Sequence, residues 1–117
     1  MNRHTNLAQS VGSSLKGAKH GFTGRNFRLL VCFGLAALAL ALYLPLTATE
    51  RYIVIILIAI VLAGELFNSA IEELADVVTL DHHEGIARTK ELCAGAMLIL
   101  VPAAAVIGAC IFWPYLF

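Results

Sequence analysis

The chain has 117 residues, of which 60% are hydrophobic, and it carries eight basic and eight acidic side chains for a formal net charge of zero. A mean hydropathy of +0.84, with the apolar residues in long blocks, excludes a small soluble domain and leaves one membrane domain over residues 1–117 as the expected organisation. The charge balance offers no basic excess for a nucleic-acid partner.

Residues 1–9 are polar and read as a frayed start. Val11, Leu15, Ala18 and Phe22 then recur at helical spacing, with Lys16 and Lys19 elsewhere on the wheel. This predicts an amphipathic helix over about residues 8–23, lying on the membrane surface. Gly12, Gly17 and Gly21 weaken the helix. Residues 1–28 lack the continuous apolar core of a cleavable signal peptide.

Leu29–Thr49 is uncharged over 21 residues, about the length that crosses a hydrocarbon core of roughly 30 Å. A first span is expected at about residues 27–48, closed by Pro45 and a short connection through Thr47, Ala48 and Thr49. Glu50 and Arg51 open a second span, expected at about 51–79. Thr79–Gly85 is a polar turn, and a third span is expected at about 87–115. Ala94, Gly95 and Ala96 suit close helix approach, and Trp113 and Tyr115 suit an aromatic belt. The fold class expected is an all-α membrane protein with one surface helix and three transmembrane helices. Cys32, Cys93 and Cys110 sit in apolar runs and read as small hydrophobes rather than as a disulfide framework or zinc site.

Seven of the eight Lys and Arg side chains lie outside Leu29–Glu84, with Arg51 the exception. By the positive-inside rule the N-terminal segment and the 79–91 loop are cytoplasmic, while the 47–51 connection and the C-terminus face the other side.

The second span carries the unusual chemistry. Taking Glu65 as the origin, a turn of about 100° per residue puts Asn68 at about −60°, Glu72 at about −20° and Asp76 at about +20°. Four polar groups thus form one stripe, with Glu73 at its edge, about +80° away. Glu65 lies about 21 Å along the helix from Arg51, inside the bilayer near its cytoplasmic boundary, and the stripe runs from there into water. Ionisable groups within a span mark a functional site by default. A carboxylate at that depth can reach a lipid hydroxyl, and carboxylates nearer the water can hold Mg²⁺ together with phosphate oxygens. The combination suits phosphoryl transfer from a soluble nucleotide to a membrane alcohol. Arg88 and Lys90 can meet the phosphates; no Walker or dinucleotide glycine loop is present. Asn68 reads equally as a site residue and as a helix-bridging amide, and Asp76 equally as a site residue and as a solvated helix end. Asp81-His82-His83-Glu84 reads as a solvated turn rather than a metal site, because adjacent histidines do not converge easily on one ion. Glu65 and Glu72 lack the Glu-x-x-His spacing of a di-iron bundle.

Residues Glu65–Asp76, E-L-F-N-S-A-I-E-E-L-A-D, resemble the signature of the small bacterial membrane lipid kinases, diacylglycerol kinase and undecaprenol kinase. The spacing to His83, Lys90 and Ala94-Gly95-Ala96 is similar too, as are Lys16-Gly17 and Arg25-Asn26-Phe27-Arg28, so the resemblance covers the chain from about residue 10 onward. It implies a homotrimer in the bacterial cytoplasmic membrane, with active sites shared between neighbouring subunits. It implies ATP as phosphoryl donor, Mg²⁺ as cofactor and a lipid alcohol as acceptor. Glu65 would be the general base and Glu72 a Mg²⁺ ligand, with Asn68 and Arg88 in support. Lys90, Asp76, His83, Glu91 and Lys16 would surround the nucleotide and its phosphates.

Two positions depart from the family's pattern. Gly24 stands where the family usually has a second metal-binding Glu, and no acid precedes Glu50. Glu91 stands where an Asp follows the lysine. Glu73, Asp81, Glu84 or a neighbouring subunit are the available replacements for the first. The alternative to a kinase is therefore a catalytically impaired relative serving as a scaffold or a nucleotide- or lipid-binding module. A channel or proton-linked transporter ranks last, because acids enter only one span and no second broken helix is present.

Overall fold

The computed structural model describes residues 6–79 and 81–117, and among them it holds four helices and no strand. Three of the helices are long and apolar enough to cross a membrane.

The first helix, α1 (Leu7–Gly21), starts with a capping box. The Asn6 side-chain oxygen accepts from the Gln9 N–H at 2.8 Å, and the Asn6 N–H donates to Gln9 Oε1 at 3.3 Å. The frayed start expected over 1–9 is thus corrected for residues 6–9; residues 1–5 lie outside the described residues, as does Leu80 of the polar turn. The chain then turns a corner, where Phe22 and Phe27 meet edge to face at 5.1 Å between ring centroids. Gly21 is buried in that corner, where a Cβ would collide with the Leu66 side chain.

Helix α2 (Arg25–Tyr43) stops at Pro45 for a local reason. Proline has no N–H, so the Ala41 carbonyl loses the donor that its helix would have supplied. Arg51 fills the gap: its Nε donates to the Ala41 carbonyl at 2.9 Å and its Nη2 to the Leu44 carbonyl at 3.1 Å. Thr47 then starts helix α3 (Ala48–Val78) through a second capping box, its hydroxyl accepting from the Glu50 N–H and its own N–H donating to the Glu50 carboxylate. That cap starts α3 three residues before the expected position 51.

Helix α4 (Glu84–Leu116) runs through Pro102 and Pro114 and returns to the same end. The Tyr115 hydroxyl donates to the Glu50 carboxylate at 2.5 Å. Trp113, 63% exposed and close to the Phe117 ring, lies at the same end. Ala41, Leu44, Leu46 and Val54 form the small core of this end, with Ile111 and Phe112 packed against it.

Helix α3 is the central element and packs against α1, α2 and α4. Its 31 residues reach about 46 Å, well beyond a hydrocarbon core, so one end projects into water. Six hydrophobic residues are buried among those described, far too few for a water-soluble fold. The long apolar helices instead present Leu, Ile, Val and Phe outward, as spans in a bilayer do. No cysteine is paired, and Cys32 and Cys110 are exposed.

Close approach of α3 and α4 centres on Gly64. A Cβ there would lie 2.7 Å from Leu100 Cδ2 and 3.4 Å from Met97 Sδ. Gly95, by contrast, opens onto space in which a Cβ would meet nothing within 4 Å. Within the single chain the tight glycine is therefore the one on the facing helix. Gly64→Val is expected to lower stability by about 1–3 kcal/mol through overpacking, whereas Gly95→Ala should change it by less than about 0.5 kcal/mol. Thermal midpoints in one detergent would check both.

Candidate functional site

The polar stripe forms on one uninterrupted helix. Glu65 is 7% exposed and is the only buried charged side chain among the described residues. One turn on, the Asn68 side-chain oxygen is buried without a hydrogen-bond partner. Buried polar atoms are almost always paired, and this acceptor, one turn from a buried carboxyl, finds no partner within the single chain. Glu72 and Asp76 continue the stripe and are exposed. The stripe therefore passes from buried to solvated in three helical turns.

Asp76 and Lys90 are brought together across the α3–α4 turn, with Lys90 Nζ donating to Asp76 Oδ1 at 2.7 Å. The pair is about half exposed, at 41% for the lysine and 51% for the aspartate side chain, so it orients the lysine without adding much stability. His83 is the N-cap of α4: its Nδ1 accepts from the Gly85 N–H at 3.1 Å, leaving Nε2 as the ring's donor. A capping role for His83 was not visible in the sequence; its position one residue before Glu84 was the available signal. Arg88, Glu91 and Lys16 are exposed. Among the described residues no hydrogen bond or ion pair joins Lys16, His83 or Glu91 to Glu65 or Glu72. The chain by itself thus assembles Glu65 with Asn68 and Asp76 with Lys90, and leaves the remaining candidates apart.

A cavity of about 670 Å³ lies between α1 and α3, lined by Gly17, Gly21, Gly24, Leu66, Ala70 and Glu73 among others. Glu73, an ordinary exposed acid by its place off the stripe, therefore borders the same space as Gly24. Gly24 itself caps α2 without a side-chain hydrogen bond. No group of three His, Cys, Asp or Glu side chains converges among the described residues. An ion such as Mg²⁺, which keeps its waters, needs only one or two carboxylates beside phosphate oxygens.

The sequence pattern of the family described as prokaryotic diacylglycerol kinase matches residues 12–112. A diacylglycerol kinase of Synechocystis is 33% identical over 111 residues, which are 93% of this chain and 63% of that protein. The chain thus spans just under two thirds of that relative's length. An undecaprenol kinase of Bacillus subtilis is 33% identical over 94 residues, 80% of this chain and 76% of that protein. A diacylglycerol kinase of Escherichia coli is 28% identical over 112 residues, 95% of this chain and 92% of that protein.

Proposed function

The chain belongs to the prokaryotic diacylglycerol kinase family, and from that premise we propose that it transfers the terminal phosphoryl group of ATP to the hydroxyl of a membrane lipid alcohol. By family it is a lipid kinase. Diacylglycerol, giving phosphatidic acid, is the first acceptor assigned, and undecaprenol, giving undecaprenyl phosphate, is close behind. The names of the relatives divide between the same two lipids.

One observation carries the reading: a carboxylate 7% exposed on an apolar helix, one turn from an unpaired amide oxygen. As the hydroxyl oxygen bonds to the γ-phosphorus, Glu65 takes its proton; the bond from that phosphorus to the β,γ-bridging oxygen breaks, and ADP leaves. Asn68 orients the acceptor. Lys90 and Arg88 balance charge on the phosphates, and His83, Glu91, Asp76 and Lys16 surround the nucleotide. When bound, Mg²⁺ supplies charge neutralisation on the phosphates. Glu72 would hold it, and Glu73, which shares a cavity with Gly24, is the replacement we assign for the missing acid. The assembly is a homotrimer in the cytoplasmic membrane, with α1 on the cytoplasmic surface and neighbouring subunits completing each site.

Gly24 favours a second reading, a relative that binds nucleotide or lipid without the chemistry. Thermal unfolding in nanodiscs separates kinase and nucleotide binder from plain scaffold. Mg-ATP at a hundred times its dissociation constant should stabilise the chain by about 2.7 kcal/mol; no shift at millimolar Mg-ATP would remove the nucleotide site. Asp76→Asn should change stability by less than about 1 kcal/mol, while releasing Lys90 and raising the KM for ATP more than it lowers kcat. An unchanged KM would take Lys90 out of the nucleotide site.

A further inference from the structure

Helix α1 has three sides, and only one meets the rest of the chain. Taking Leu7 as the origin at about 100° per residue, Ser14, Gly17 and Gly21 lie between about −20° and −80°, and these line the cavity against α3. Ala18, at about +20°, still lines the cavity, while Val11 and Leu15 lie at about +40° and +80°. With Leu7 they make an apolar stripe that the chain does not cover: Leu7 is 80% exposed, Val11 50% and Leu15 67%. Lys19 and Lys16 follow at about +120° and +180°, both exposed. Cations flank the stripe on the side away from α3. Arg25 and Arg28, also exposed, stand where α2 enters the membrane. No acid occurs before Glu50.

The helix has little else to hold it. Its only buried residue is Gly21, and Gly12 and Gly17 lower its propensity. A helix of 15 residues is marginal in water without an apolar partner. The start of a membrane span at Arg25 keeps α1 close to the bilayer boundary. The exposed stripe is bordered by lysines, while Glu73 borders the α1–α3 cavity on the other side of the helix; that apolar and cationic face is complementary to an anionic lipid surface and not to a neutral one.

We propose that α1 docks on the headgroup region of anionic phospholipids, the Leu7–Val11–Leu15 stripe entering the interface and Lys19, Arg25 and Arg28 pairing with lipid phosphates. This deepens the surface-helix reading above by naming its partner. It also couples the order of the α1–α3 cavity to membrane charge. Because a lipid kinase makes an anionic lipid from a neutral one, its membrane becomes a better platform for α1 as the reaction proceeds.

The test is amide hydrogen exchange of the full chain in nanodiscs, without nucleotide or acceptor lipid, so a chain with no kinase activity can still pass it. Discs of phosphatidylcholine alone are compared with discs containing phosphatidylglycerol, at low and high salt. Amides of residues 10–20 should exchange about tenfold or more slowly in the anionic discs, and high salt should remove most of the difference. Lys19→Gln with Arg25→Gln should remove most of it at low salt, each cation contributing about a fivefold factor. Equal protection in neutral and anionic discs would overturn the proposal and assign the stripe to a neighbouring subunit or to uncharged lipid. Rapid exchange in both would overturn it as well, leaving α1 undocked. The lipid comparison uses the unmodified chain, so it stands even where the double variant folds poorly.

Discussion

Glu65→Gln is expected to reduce phosphoryl transfer to a lipid alcohol by about 10²–10⁴-fold, the usual contribution of a positioned general base. The substitution keeps the size and hydrogen-bonding reach of the side chain and removes only its ability to hold a proton taken from the acceptor. Glu65 is 7% exposed and lies within a membrane span, so the neutral amide is easier to bury than the carboxylate. The variant should therefore fold at least as well as the parent and bind Mg-ATP with similar affinity. The loss belongs in kcat, since the proton moves only in the chemical step. Retained transfer, within a factor of about three, would remove Glu65 from the chemistry.

Arg51→Met carries the second large effect, at the other end of the molecule. Arg51 supplies two hydrogen bonds to carbonyls at the end of α2, one of which Pro45 leaves without a helical donor. Each unpaired buried carbonyl costs about 1–3 kcal/mol, and a bilayer boundary offers little water in compensation. Leu44 retains a second donor in the Leu46 N–H at 2.8 Å, so most of the cost falls on Ala41. A loss of about 2–4 kcal/mol is expected, read as a lowered unfolding midpoint in mixed micelles. Arg51→Lys should recover part of it, because an ammonium can still donate to one carbonyl but cannot fork to two. An unchanged midpoint for Arg51→Met would mean that solvent or lipid headgroups serve these carbonyls instead.

These two residues mark what a sequence of this kind discloses. Glu65 was legible because a single spacing rule and the cost of burying charge pick it out, and its burial agrees with that reading. The three long helices were legible from hydropathy alone. Arg51 was visible only as the one cation between Leu29 and Glu84. Its task depends on a carbonyl ten residues earlier, orphaned by a proline four residues beyond that. Pro45 and the isolated arginine were the two halves of the signal. The Glu50–Tyr115 bond joins residues 65 positions apart, and no local pattern reports it. Gly64 was hidden for a related reason: a glycine permits close approach, but the side chain that approaches, Leu100, comes from another helix. The sequence therefore pointed to Ala94-Gly95-Ala96, small residues in a row, where the chain leaves open space. Asp76 and Lys90 were each legible as site candidates, and the structure added that they hold one another.

The departure at Gly24 has a physical reading as well. Its cavity is shared with Glu73, one residue past the carboxylate assigned to Mg²⁺. Neighbouring residues on a helix diverge by about 100°, so Glu72 and Glu73 face different sides of α3. A role for Glu73 requires the ion or the phosphates to bridge those sides, which the open, glycine-lined wall of α1 leaves room for.

The measurement that bears most directly on the central claim is ATP-dependent transfer of labelled phosphate by the unmodified chain in lipid nanodiscs, with diacylglycerol and undecaprenol offered separately. The account predicts phosphorylated lipid from at least one of the two, diacylglycerol foremost, made only when Mg²⁺ is supplied. A folded chain that binds Mg-ATP and phosphorylates neither lipid would contradict it, and would leave a nucleotide-binding relative whose chemistry went with the acid missing at Gly24.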